Sequence, residues 1–152
     1  MCAECGVRTA AGEPDCAGLR DELFARDFEQ PALYGRQHRL AVDCYCVQHS
    51  SYVRSAKSLA AHLCGLCVAL ERDDDQALLT GLQRWLSTNP GLAKPDLPAF
   101  RGDLTIAHVS GIDDPQAYAI AVREWAVSSW NAYRAHHELA RQWLATSARH
   151  IR

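Results

Sequence analysis

Two thiols two residues apart, Cys2 and Cys5, with Gly6 immediately behind them, have the form of a zinc knuckle. Two intervening residues let both sulfurs reach one ion, and the glycine allows the tight turn that aims backbone amides at them. Cys16 offers a third sulfur after a short polar stretch containing Gly12 and Pro14. Zinc takes four ligands in a closed structural site, or three and a water in a catalytic one. If the first two helices form an antiparallel hairpin turning near Gln30, Cys16 falls beside residues 44–49, a window that holds Cys44, Cys46 and His49. His49, at the helix end and level with the N-terminal loop, is the expected fourth ligand. Cys46 is the next choice, and His38 belongs further down the hairpin, nearer Asp21 and Glu22.

Histidines recur at helical spacing. His38 and His49 return to within about 20° of the same face at 3.6 residues per turn, and Tyr45 shares that face. His62 falls in the apolar stripe of Leu59, Leu66 and Leu70, and His137 in that of Ala126, Trp130, Tyr133, Ala140 and Leu144. His49, His62 and His137 are therefore expected to converge between three helices, as an open metal position in a bundle requires. In that reading His62 or His137 is a ligand or a general base. Asp43 either orients a histidine from behind or pairs with Arg39 one turn earlier. Cys64 and Cys67 have dithiol spacing but sit in mid-helix, away from the N-terminus that would activate the first thiol, and read as core. A second metal site from these two with Cys44 and Cys46 would need four ligands on two regular helices.

These residues need elements to place them. Residues 1–15 read as a metal-binding loop. A first helix runs from about Cys16 to Phe28 on Leu19, Leu23 and Phe24. Pro31 opens a second, reaching Gln48 through Tyr34, Leu40, Val42 and Tyr45, with Gly35 weakening its first turn. Ser55 or Ser58 caps a third, and Asp73 to Asp75 cap a fourth that carries Leu78, Leu79, Leu82, Trp85 and Leu86. Four helices thus fill 16–88, and a Pro/Gly-rich connection fills 89–112. Asp113 or Asp114 with Pro115 starts a last helix over 113–149, on the order of 50 Å long and so expected to bend or fray. The fold class is all-α: a bundle of about five helices in a single domain, 1–152, with a zinc-knuckle-like N-terminal loop.

The chain has 152 residues, 48% of them hydrophobic and 22% charged, and a formal charge of −2. Such a balance supplies no field for nucleic acid or an anionic membrane. Arg123, Arg134, Arg141 and Arg149 on the last helix are interrupted by Glu124 and Glu138, which makes a solvated face. No apolar run approaches the roughly 20 residues that cross a bilayer. Met1 to Gly6 lacks the features of a secretory signal, so the cytoplasm is the expected compartment. There seven cysteines, an odd count, argue for metal binding over disulfides.

The chain is similar to a family of small bacterial proteins of unknown function. The resemblance rests on Cys2-Ala3-Glu4-Cys5-Gly6, Cys16, the run Tyr34 to Asp43, Tyr45, Gln48-His49 and His62-Leu63. It continues through Trp125-Ala126, Trp130, His136-His137 and Trp143-Leu144. It departs at Cys44 and Cys46, where small or apolar residues are expected, and at Ser50, where proline is expected. These departures favour His49 over Cys46 as the ligand. The resemblance implies the fold and the metal, and no reaction. The expectation is a structural zinc in a binding or accessory module, its partner unspecified and a homodimer allowed. The rival is a zinc-dependent hydrolase or thiol-transferase-like enzyme with its open position lined by His49, His62 and His137. A redox dithiol protein using Cys64 and Cys67 ranks last.

Overall fold

The computed structural model describes residues 1–151, and its regular elements are all helical. Asp15 starts α1 (Cys16–Glu29) by accepting the Gly18 N–H at 2.8 Å, one of the donors a helix start leaves without a partner. Ser55 does the same for α4 (Ala56–Glu71) through Ser58, and Asp75 for α5 (Gln76–Ser87) through Ala77 and Leu78. Asp114 caps α6 (Pro115–Ala132), with Pro115 in the first turn where its missing N–H costs nothing. Among the described residues no helix is long and apolar enough to cross a membrane.

The helix expected from Pro31 to Gln48 is divided into α2 (Pro31–Tyr34), a 3-10 turn at Gly35–Gln37, and α3 (His38–Gln48). Tyr34 marks the break. Its hydroxyl donates to the Asp113 carbonyl, its ring meets Tyr118 edge-on at 5.6 Å, and the Arg26 guanidinium lies over it at 4.0 Å. These tertiary ties outweigh one turn of helical continuity.

The single C-terminal helix expected over 113–149 is likewise two helices, α6 and α7 (His137–Ser147), joined by a 3-10 turn at Arg134–His136. A side chain takes over a backbone bond there. His137 stacks on Trp130, with centroids 3.7 Å apart and planes 7° from parallel, and its Nε2 sits 2.7 Å from the Trp130 carbonyl. The Tyr133 N–H reaches the same carbonyl in a 3-10 bond, and the buried Tyr133 hydroxyl donates to the Val47 carbonyl. The chain turns at this point, so α6 packs on α3 and α4, and α7 on α4 and α5.

The core forms around α3 and α4. Leu59, Leu63, Leu66 and Val68 of α4 are fully buried, as are Val47 of α3 and Trp125 of α6. Removing a side chain of this size from water contributes roughly 1.5–3 kcal/mol. Gln48, at 1% exposure, fastens the proline-rich connection to this core. Its amide donates to the carbonyls of Arg101 and Leu104 at 3.0 and 2.6 Å, and its oxygen accepts Trp125 Nε1–H at 3.0 Å.

Where α3 crosses α4, Gly65 leaves the space filled by the carboxylate of Asp43, and a Cβ on Gly65 would overlap Asp43 Oδ2. Gly→Ala within a helix normally gains about 0.5–1 kcal/mol. Here overlap with a buried carboxylate reverses the sign, and Gly65→Ala is expected to cost about 1–3 kcal/mol, read as a lower urea midpoint.

Candidate metal centre

The start of α1 and the end of α3 meet at the N-terminal loop. Cys16, the first residue of α1, places its sulfur at the end of the helix where backbone dipoles favour negative charge. His49 is the cap of α3, where the backbone leaves the helix at φ −122° and ψ 108°. Between these ends the loop turns on Gly6, whose φ of +78° lies in the left-handed region that glycine tolerates without strain. The turn is closed by Gly6 N–H to the Cys2 carbonyl at 3.0 Å and Cys2 N–H to the Val7 carbonyl at 2.8 Å.

Cys2, Cys5, Cys16 and His49 each offer one ligand atom, and these atoms all lie within 4.8 Å of one another. Cys5 and Cys16 Sγ are 3.6 Å apart; His49 Nε2 is 3.7 Å from Cys2 Sγ and 3.2 Å from Cys16 Sγ. A tetrahedral ion with zinc-like bond lengths would separate two sulfurs by about 3.8 Å and a sulfur from a nitrogen by about 3.6 Å. The observed spacings fit that figure. Cys16 and His49 are buried at 8% and 3% exposure, and Cys2 and Cys5 partly so.

The groups around the ligands set their protonation. His49 Nδ1 donates to the Tyr45 carbonyl at 2.6 Å, which fixes the tautomer and leaves Nε2 as the basic nitrogen facing the sulfurs. The Tyr45 ring stacks on the imidazole at 4.0 Å, and its hydroxyl lies 3.6 Å from Cys16 Sγ. Burial works against the Cys2 thiolate, but the backbone N–H groups of Cys5 and Glu4 outweigh it and lower the thiol. The Val7 N–H reaches Cys5 in the same way, which is the amide pattern a knuckle turn provides. Contact between Cys5 and Cys16 separates the pair, holding Cys16 down and Cys5 up. Burial opposes a charged His49, yet the neighbouring Cys16 and the Tyr45 carbonyl raise it to about 9. Two thiols held down, Cys2 and Cys16, with a third sulfur from Cys5 and an imidazole nitrogen make a donor set suited to a soft or borderline cation.

Glu4 had no role in the reading of the sequence. Its carboxylate accepts from Ser50 Oγ at 2.6 Å and from the Ser51 N–H and Oγ at 2.9 Å each, which clasps the knuckle to the 3-10 turn after His49. The serine found where proline was expected supplies one of these bonds. The cue was present as Glu4 between the cysteines and Ser50-Ser51 behind the histidine, but nothing in sequence spacing pairs residues so far apart.

The other nominated residues lie elsewhere. His62 Nδ1 meets Asp43 Oδ1 at 2.9 Å, His137 rests on Trp130, and His38 Nδ1 is 3.1 Å from the buried Asp27, about one and a half turns beyond Asp21 and Glu22. His49, His62 and His137 do not converge: the N-terminal cluster is the one metal-capable group among the described residues, and neither His62 nor His137 belongs to it. The expectation read His137 on the stripe of one continuous C-terminal helix without placing its bend, and the break at Tyr133 turns His137 back onto its own chain. Asp43 does both jobs suggested for it, holding His62 on one oxygen and Arg39 on the other at 2.5 Å. Cys44, Cys64 and Cys67 are buried free thiols outside the cluster.

The chain belongs to a family described as a family of unknown function (DUF5946), which matches residues 1–134 and so includes all four residues of the cluster. No curated protein and no solved structure matches the chain.

Glu4→Ala removes the clasp and is expected to weaken metal affinity about tenfold, measured by competition with a chromophoric chelator. Acid should release the metal, because protons compete for the thiolates and for His49 Nε2. A cobalt-loaded sample should accordingly lose its thiolate charge-transfer absorption as pH falls below neutral.

Proposed function

We propose that Cys2, Cys5, Cys16 and His49 hold a structural Zn²⁺ and that the chain is a small zinc-stabilised helical protein, serving as a binding or accessory module in a reducing, cytoplasmic compartment. The observation that carries this reading is the bond from His49 Nδ1 to the Tyr45 carbonyl, which presents Nε2 to Cys2 and Cys16 at 3.7 and 3.2 Å, with the Cys5 sulfur within 4.8 Å. Three thiolates and an imidazole are a common structural zinc set, and four protein ligands leave no coordination position for a substrate. Bound there, zinc supplies a cross-link between the N-terminal loop, the start of α1 and the end of α3. All seven cysteines are free thiols, which suits a reducing compartment. The formal charge of −2 supports a protein or small-molecule partner over a nucleic acid.

Metal analysis of protein purified under reducing conditions should give one zinc per chain, and cobalt substitution should give the intense bands of a thiolate-rich tetrahedral site. Cys5→Ser should release the metal and lower Tm by about 5–10 °C, the shift that roughly 3 kcal/mol produces in a chain of this size. Retention of one tightly held zinc in Cys5→Ser would overturn the assignment of the ligands. A weak, six-coordinate cobalt spectrum would overturn the closed site.

A further inference from the structure

Between α3, α4 and α5 lies a cleft of about 320 Å³ that shares no residue with the metal centre. α5 walls it with Leu79, Leu82 and Leu86, spaced to fall on one face of that helix, and α3 and α4 add Val42 and Ala61. His38, Arg39, Asp43 and His62 carry its charge. No cysteine lines it, so what it offers is binding. Clefts of this kind, mostly apolar with a few fixed polar groups, are where proteins take small ligands.

The polar groups are held from behind by buried carboxylates. His62 Nδ1 donates to Asp43 Oδ1 at 2.9 Å, and Arg39 Nη1 donates to Asp43 Oδ2 at 2.5 Å. Gly65 leaves the space in which that carboxylate sits. His38 Nδ1 is held in the same way by Asp27, which also accepts the Tyr118 hydroxyl. Arg39 Nη2 reaches out of the cleft to Asp74. Nε2 of His38, Nε2 of His62 and Nε of Arg39 remain without a partner among the described residues. The buried polar atoms that lack a partner belong to Arg26, Arg101, His108 and Ser129, so solvent reaches all three of these nitrogens.

The character of the ligand follows from what faces it. Both oxygens of Asp43 are occupied, so that carboxylate supports the donors and accepts nothing further. Burial opposes a charged His62, yet its neighbours, Asp43 first, raise it to about 10, and the ring is cationic at neutral pH. Arg39 is always charged. A metal ion would meet that guanidinium, and the two imidazoles have no third ligand closing on them. An anion meets fixed donors instead, and anything attached to it lies against leucine.

We propose that this cleft binds a small monocarboxylate with a short apolar tail, its carboxylate hydrogen-bonded by His62 and Arg39 and its tail laid along Leu79, Leu82 and Leu86. Asp43 is a positioning residue that fixes both donors. The proposal does not rest on the zinc assignment, because the two sites have no residue in common.

Sodium octanoate is the probe, with 1-octanol as the uncharged molecule of equal tail, both titrated by calorimetry into the full chain. Octanoate should bind once per chain and about tenfold or more tighter than octanol, the margin that charge-assisted hydrogen bonds supply. Amide chemical shifts should move on the facing parts of α3, α4 and α5. His62→Gln keeps a donor for Asp43 but removes the charge, and should weaken octanoate about tenfold while leaving octanol unchanged. Ala61→Leu fills the apolar part and should weaken both ligands about tenfold. Circular dichroism and metal content equal to wild type in either variant show that its fold is kept. Equal affinity for octanoate and octanol would reduce the cleft to an apolar slot. Full octanoate affinity in both variants, or shifts gathered around Phe100 and Val127, would put the ligand elsewhere. A cobalt ion bound in addition to the one at the metal centre, and lost in His62→Gln, would make this a cation site. Each of these results overturns the proposal, as does the absence of saturable octanoate binding in the wild type.

Discussion

The bond between His49 Nδ1 and the Tyr45 carbonyl decides which nitrogen the protein can offer. Tyr45 lies one turn back on α3, so its carbonyl is among those the end of a helix leaves without a backbone partner. An imidazole standing at the cap satisfies that carbonyl, and the opposite nitrogen must then point away from the helix, towards the loop. The tautomer, the ring plane and the position of the fourth ligand all follow from where α3 stops. Moving the histidine one position along the chain would turn the ring by about 100° around the helix axis and take Nε2 away from the sulfurs.

α3 carries an unusual share of buried polar groups for a helix at the centre of a core: Asp43, Gln48 and His49 are all nearly inaccessible. Each is answered from a different direction: Asp43 by His62 and Arg39, Gln48 by the connection and Trp125, His49 by the N-terminal loop and its own backbone. A buried polar group costs about 1–3 kcal/mol when left without a partner. The neighbours of α3 therefore have little freedom to slide, since any shift would strand at least one of these groups. Apolar packing from α4 supplies the bulk of the burial, and the polar contacts select one register.

The helices themselves were largely legible, because their signals are local. Asp15, Ser55, Asp75 and Asp114 cap what their positions suggest, and Pro115 opens the helix it precedes. The four members of the metal cluster were legible for a related reason: a Cys-x-x-Cys with glycine is a local motif, and one hairpin argument sufficed to bring His49 to it. Tertiary override was not legible. Tyr34 and Tyr133 interrupt helices that periodicity would continue, and the partners that hold them, Asp113 and Val47, lie far away in sequence. The convergence of three histidines failed for that reason. Asp43 facing His62 needed the crossing of α3 and α4, of which Gly65 was the sole local trace.

The clasp of Glu4 on Ser50 and Ser51 also bears on the order in which the molecule assembles. All four cluster residues, and both partners of Glu4, lie within the first 51 positions of the 152-residue chain. During synthesis these segments emerge before α4 to α7 exist. Once α1 has folded back on α3 the loop to be closed is short, and its entropy cost grows only with the logarithm of its length. The N-terminal third can therefore be clasped through Glu4 while most of the hydrophobic core is still to be made. α3 would then present Asp43, Cys46 and Gln48 on a held scaffold, against which the later helices find their places.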